Sequence, residues 1–167
     1  MKEDLLNELL REGENTRKLL KAVPDSALNW KPSSMNWTTA KLASHIAGLY
    51  DWYWAVVELD ELNLDTYVYD RGDISVAANI VAKFEENFEK ARKVLESLDE
   101  SKLSGTWKMT KGGHVAIPPI KKSEALRYTI QNHIYHHRGQ LVTYLRASGN
   151  TVPGLYGPTA EERKSDS

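Results

Sequence analysis

The segment NHIYHHRGQL, residues 132–141, places His133, His136 and His137 within five positions. The whole chain has five histidines, and the remaining two are His45 and His114. Neutral imidazoles are metal ligands, and imidazoles that titrate near neutrality are acids and bases. Two of them at i and i+4 on a helix can share one ion. A third from a facing helix gives a three-histidine set, which leaves coordination positions open as catalytic sites do. Three imidazoles suit Zn²⁺, Ni²⁺, Fe²⁺ or Cu²⁺, and the absence of a carboxylate from the motif disfavours a two-histidine-one-carboxylate iron site. Zn²⁺ is the default expectation and Ni²⁺ the alternative. The chain has no cysteine. A nucleophile, either water or a small thiol activated by the metal, would therefore have to come from outside.

Helical phase says where these groups point. With His133 at zero and about 100° per residue, His137 falls at about 40°, among Leu126 and Tyr144 at about 20° and Ile130 at about 60°. His133 and His137 thus lie in the apolar stripe. His136 falls about 60° to the other side, at the stripe's edge, and Gln140 about 20° to that side, facing inward. His45 sits in the middle of another apolar face, flanked by Leu42, Leu49, Trp52 and Val56. Burying imidazoles without partners would cost about 1–3 kcal/mol each. A shared metal removes that cost for His45, His133 and His137; hydrogen bonds to backbone carbonyls would serve as well. Spacing alone leaves both readings open.

Four further residues have candidate roles. His136 is a candidate acid or base near the mouth of the site. Gln140 is a candidate hydrogen-bond partner for a ligand or substrate. Asn87, on the inward face of its helix, either orients a histidine, contacts substrate or makes a structural hydrogen bond. Arg17 either clamps a substrate carboxylate or snorkels at the end of the bundle. Gly139 costs a helix about 1 kcal/mol relative to Ala, and close helix approach is the simplest reason for it. His114, after KGG, reads as an exposed turn residue.

The elements that must hold these groups are helical. Leu6, Leu9, Leu10 and Leu20 mark a first helix over about 2–23, stopped by Pro24. Thr38 caps a second, running to about 59, and Ser75 a third over about 76–98. Ser123 caps a fourth, ending near 148 at Gly149. Between the last two, Trp107 and Met109, then Val115 and Ile117, alternate around KGG, which gives either a short hairpin or an ordered loop. The expected fold is therefore all-α: a four-helix bundle with a long connection before its last helix. One domain spans 1–158, followed by a polar, mobile tail over 159–167.

Composition narrows the class further. With 167 residues, 41% of them hydrophobic and 27% charged, the chain can bury a core without disulfides. The net charge of −1 and scattered Lys and Arg argue against nucleic-acid binding. No signal peptide or membrane span is apparent, so a cytoplasmic location and no membrane partner are expected.

The stretch NHIYHHRGQLVTYLRASGNTVPGLYG, with its H-x-x-H-H-R-G-Q core, closely resembles the last bundle helix of the DinB/YfiT-like family. MNWTTAKLASHIAGLYDWYW resembles that family's second helix, with Trp before the cap and a single His after it. The resemblance covers most of the chain in layout and is sharp in these two segments. It implies a metal-binding four-helix bundle with His45, His133 and His137 as ligands and His136 outside the ligand set. It also implies a small-molecule substrate, a homodimer, and a thiol-dependent S-transferase acting in detoxification or stress response, with a low-molecular-weight thiol as cosubstrate. A metal-dependent hydrolase on the same site, or a non-catalytic metal-binding bundle, are the alternatives.

Overall fold

The computed structural model describes residues 1–165. Helix α1 (Lys2–Lys21) buries Leu5, Leu9, Thr16 and Leu19 at helical spacing. It packs along α4 (Ala77–Glu96), which buries Ile80, Phe84, Phe88 and Leu95. They approach closely at Gly13, where an added Cβ would lie 2.1 Å from the Phe88 ring. Helix α2 (Thr39–Leu49) starts at Thr38, whose hydroxyl accepts the Lys41 N–H at 3.3 Å. The single helix expected to run to about 59 is broken after Leu49, and α3 (Trp52–Glu58) follows. Tyr50, at the break, is buried and meets the Thr16 hydroxyl at 2.8 Å. Helix α4 begins without help from Ser75: its first N–H, on Ala77, is taken by Asp25 Oδ1 at 2.7 Å.

The last bundle helix is compound. A short α5 (Lys122–Glu124) passes into a π-helical stretch over Ala125–Gln131, and α6 (Asn132–Ala147) continues it. Wide π turns recur at functional sites because they re-phase the side chains that follow. Helix α6 ends as expected at Gly149, with φ of 81°. Its N–H reaches Arg146 O, and the Asn150 N–H reaches Leu145 O, closing a Schellman motif.

The all-α expectation needs correction. The chain is mostly helical, but it also carries a three-stranded sheet in the order β1-β2-β3. Strands β2 (Thr106–Lys111) and β3 (His114–Lys121) form the antiparallel hairpin. Gly112 and Gly113 bridge it with φ of 59° and 74°, the two positive values that a tight type I′ turn demands. Trp107 and Met109 point into the core. Pro118 and Pro119 fall on the edge strand β3, at the register irregularity between the Trp107–Ile120 and Met109–Ile117 pairs, where the ladder is already interrupted. Strand β1 (Glu61–Asn63) joins β2 in parallel, within the segment read from sequence as a polar loop. His114 is exposed at the turn.

Within the tail expected from 159 onward, α7 (Ala160–Ser165) is helical. Thr159 and Glu162 form a capping box: the Thr159 hydroxyl accepts the Glu162 N–H at 3.2 Å, and Glu162 Oε2 accepts the Thr159 N–H at 2.8 Å. Residues 166–167 of that expected tail lie outside the described residues. No helix among the described residues is long and apolar enough to cross a membrane.

Gly139 does not mark a close approach. It is exposed, and an added Cβ would meet nothing within 4 Å. Gly139→Ala is therefore expected to raise stability by about 0.5–1 kcal/mol, read as the shift in the urea midpoint. A loss of stability would mean that this position is packed.

Candidate metal centre

Helix α2 delivers His45, and α6 delivers His133 and His137 one turn apart. Their ligand nitrogens all lie within 4.8 Å of one another. Ring centroids are 5.1 Å apart for His45 and His133, 4.7 Å for His45 and His137, and 4.6 Å for His133 and His137. The Nε2 atoms of His45 and His133 face each other at 3.3 Å.

The surroundings set the protonation. Burial, then the neighbouring His137, His133 and Arg71, pushes His45 down to about 3. Burial and the His137 and His136 charges push His133 down to about 4, against a hydrogen bond with the Thr129 backbone. Burial likewise lowers His137. All three rings are therefore neutral at pH 7. His137 Nδ1 lies 2.7 Å from Gln140 Oε1. An amide oxygen only accepts, so Nδ1 carries the proton and Nε2 is left as a lone pair. Neutral imidazoles converging with their lone pairs toward one point are a matched donor set for a divalent transition metal. A side-chain amide that fixes the tautomer of one of them is a usual supporting arrangement.

A pH dependence follows for metal-free protein. Ordinary histidine titrates near 6.5, so between pH 6.5 and about 4 the unfolded chain takes up protons at His45 and His133 that the folded chain refuses. Stability should fall with pH across that window and level off below about 4 for His133 and below about 3 for His45. The melting temperature of chelator-stripped protein should fall from pH 7 to 4.5. The fall should be shallower in the His45→Gln/His133→Gln variant, and identical slopes would refute this origin.

The rings sit where three clefts meet. Trp37, 40% exposed, covers them from outside: its ring is edge-on to His45 at 5.2 Å and stacked on His137 at 6.0 Å. One cleft, of about 370 Å³, runs from His45 between Trp37 and Trp52 to Tyr67, Tyr69, Arg71 and Lys111. A second, also about 370 Å³, lies on the far side of Trp52, against His133, His136, Met109, Ile117 and Tyr128. A third, about 230 Å³, opens beside His137, Gln140, Met35 and Tyr144.

Of the other candidates, His136 lies in the second cleft, exposed, with its ring 4.9 Å from that of His137. Gln140 touches His137 and faces the third cleft. It is exposed rather than buried. Asn87 does not reach the histidines; it donates to Ala47 O at 3.0 Å and to the Tyr69 hydroxyl at 3.1 Å. Arg17 is not placed to clamp a substrate here. Its guanidinium makes a bidentate pair with Glu85 at 2.6 and 2.8 Å, bonds Glu14, and lies over Phe84 and Phe88. Trp54, 38% exposed, packs under the Lys90 ammonium.

Sequence reasoning missed two features. The first is the wall carrying Tyr67, Tyr69 and Arg71, whose signal was the alternation in TYVYDR. The second is Arg138, in the middle of the histidine motif yet only 2% exposed. It bonds Glu12 Oε2 at 2.5 Å, Glu12 O at 2.8 Å and the Tyr156 hydroxyl at 2.5 Å, pinning α6 to α1 and to the segment after α6.

Comparison with known proteins agrees with this architecture. A model of the DinB family matches residues 1–166. The uncharacterised protein YrdA of Bacillus subtilis is 27% identical over 152 residues, 90% of this chain and 85% of YrdA. A DinB-like protein from Bacillus cereus ATCC 10987 superposes with a TM-score of 0.69 at 25% identity, covering 92% of this chain and 97% of that one. YfiT from B. subtilis, described as a probable metal-dependent hydrolase with an unusual four-helix bundle topology, gives 0.65 at 16% identity over 90% and 89% of the two chains. At that identity the likeness speaks for the fold.

Proposed function

The chain belongs to the DinB family, and from that premise we propose that it is a metal-dependent enzyme that transfers a small thiol to an electrophile. The observation that carries the reading is the convergence of three neutral imidazoles at the meeting point of separate clefts. A reaction of two small molecules needs two approaches to one activating centre. Zn²⁺ fits the donor set, and Ni²⁺ fits it nearly as well. Held by His45, His133 and His137, the metal would supply acidification of a thiol or water in an open coordination position.

The chain's own residues do the rest. Gln140 keeps the Nδ1 proton on His137 and so keeps its Nε2 available. Trp37 shields two of the three rings from bulk water. Met109, Ile117 and Tyr128 offer an apolar wall to the electrophile. His136, exposed beside that wall, takes the proton that the thiol loses as its sulfur forms the new bond to carbon; the leaving group departs to solvent.

Hydrolysis is the second reading, favoured by the description of YfiT as a probable metal-dependent hydrolase. The two separate on thiol dependence. Zinc- or nickel-loaded protein, given a panel of small thiols and a chromogenic electrophile, should conjugate them, and His137→Ala should abolish the rate. Turnover of esters, amides or lactones with no thiol present would establish the hydrolase instead. Conjugation that survives His137→Ala would refute metal-activated thiol transfer.

A further inference from the structure

The cleft on the His45 side carries a chemistry that the metal reading does not use. Its wall is the segment from Leu64 to Asp73, and that segment is held at every second residue. The Tyr67 hydroxyl donates to Asp51. The Tyr69 hydroxyl accepts from Asn87, and its ring lies against α2 at Gly48, where an added Cβ would come within 2.7 Å of it. Only glycine lets the wall sit this close. Arg71 is the next residue of the alternation, and it lines the cleft together with His45.

Lys111 reaches the same cleft from the end of β2. The two segments are tied together: the Leu64 N–H donates to Thr110 O at 2.9 Å, and the Gly112 N–H donates to Asp65 Oδ2 at 2.7 Å. Arg71 and Lys111 therefore both line this one cleft, each from one of the two tied segments. Neither has an ion-pair or hydrogen-bond partner for its side chain among the described residues. No carboxylate lines this cleft, whose other walls are Trp37, Trp52, Leu49 and Leu64. In a chain with as many acidic as basic residues, within one, two unpaired cations over an aromatic floor stand out.

The geometry points to a recognition site for an anionic group, with Arg71 and Lys111 holding the anion and Trp37 and Trp52 holding an apolar or planar portion, so that the remainder of the ligand faces His45. The inference rests on the proposed function only in making this ligand a substrate; the binding itself needs no metal. The guanidinium fork suits a carboxylate or a phosphate ester equally.

The test uses the full chain, both zinc-loaded and chelator-stripped, with phenylacetate, its neutral isostere phenylacetamide, and phenyl phosphate as probes, titrated by calorimetry and by ligand-observed NMR at millimolar concentration. The anions should bind at least about tenfold more tightly than the amide, the factor that one charge-assisted hydrogen bond supplies. That preference should persist in stripped protein, weaken with salt and vanish in Arg71→Gln/Lys111→Gln. A stronger response to phenyl phosphate assigns the anion to a phosphate ester, and a stronger response to phenylacetate to a carboxylate; either supports the site. Equal binding of amide and anions, binding of none of them, or a preference unchanged in the double variant overturns it. A preference seen only with zinc present also overturns it, because the metal would then be the anion's partner. Failure of the chain to bind zinc, with the preference intact in stripped protein, would sink the metal reading and leave this one standing.

Discussion

His137→Ala is expected to weaken zinc binding by more than about 100-fold, a larger loss than the 10- to 100-fold typical of removing a residue that merely supports a ligand. The reason is local. His137 supplies one of the three nitrogens that lie within 4.8 Å of one another, and the exposed His136 is outside that set. Gln140→Leu should cost less, within the 10- to 100-fold range, because it removes only the acceptor that fixes the His137 tautomer. Competition against a chromophoric chelator at pH 7.5 measures both. Equal and small losses in the two variants would mean that His137 is not a ligand. Circular dichroism before and after metal addition separates a lost ligand from a lost fold.

The second large effect lies behind the site. Arg138 and Glu12 form a buried pair, and removing one partner leaves the other charge uncompensated. Arg138→Met should destabilise the chain by about 3–5 kcal/mol, read by urea denaturation. Burial pushes the Glu12 carboxyl up, but hydrogen bonds from Arg138 and Tyr156 outweigh it and hold the group below its usual range. A carboxylate lowered in the folded state adds stability above its unfolded value near 4.5 and loses it as pH falls through the folded value. The wild type should therefore lose part of this margin in acid, and Arg138→Met should have less of it to lose. Arg138→Met/Glu12→Leu should recover much of the stability, since a well-packed apolar pair costs less than a lone charge. A single-variant loss below about 1 kcal/mol would show that water reaches the pair, removing the burial from which the large cost arises.

The contrast between these two residues shows how far the sequence could be read. The inward direction of the histidines is legible because a helix converts spacing into direction; spacing alone left a shared metal and backbone hydrogen bonds as equal ways to satisfy their nitrogens. Thr38 and Gly149 are legible because a helix end leaves groups that only certain residues satisfy. The Gly112–Gly113 turn was visible as a hairpin candidate for the same reason: few pairs tolerate two positive φ values. Arg138 was not legible. Its partner Glu12 is 126 positions away, and charge alone predicts the surface. Strand β1 has three residues, too few for alternation to register, and it forms only because β2 offers an edge.

The cleft wall failed for another reason. Tyr67, Tyr69 and Arg71 alternate along a segment that forms no strand, so the alternation alone did not say what they face; contacts with Asp51, Gly48 and Asn87 hold the two tyrosines. Gln140 shows the limit of phase arguments even inside a helix. It meets His137, as its inward phase implies, yet it is exposed and lines the third cleft. Arg17 shows the converse: a position near the apolar stripe, filled by a cation that Glu85 neutralises rather than by one free for a ligand.

The central claim is that His45, His133 and His137 bind a divalent transition metal. Its most direct test is the metal content of purified protein, before and after reconstitution with zinc or nickel at neutral pH and exhaustive dialysis, by elemental analysis. One ion per chain, retained through dialysis and absent from His45→Ala/His133→Ala/His137→Ala, is the predicted result. A chain that retains no metal after reconstitution, or a triple variant that retains as much as the wild type, would contradict it.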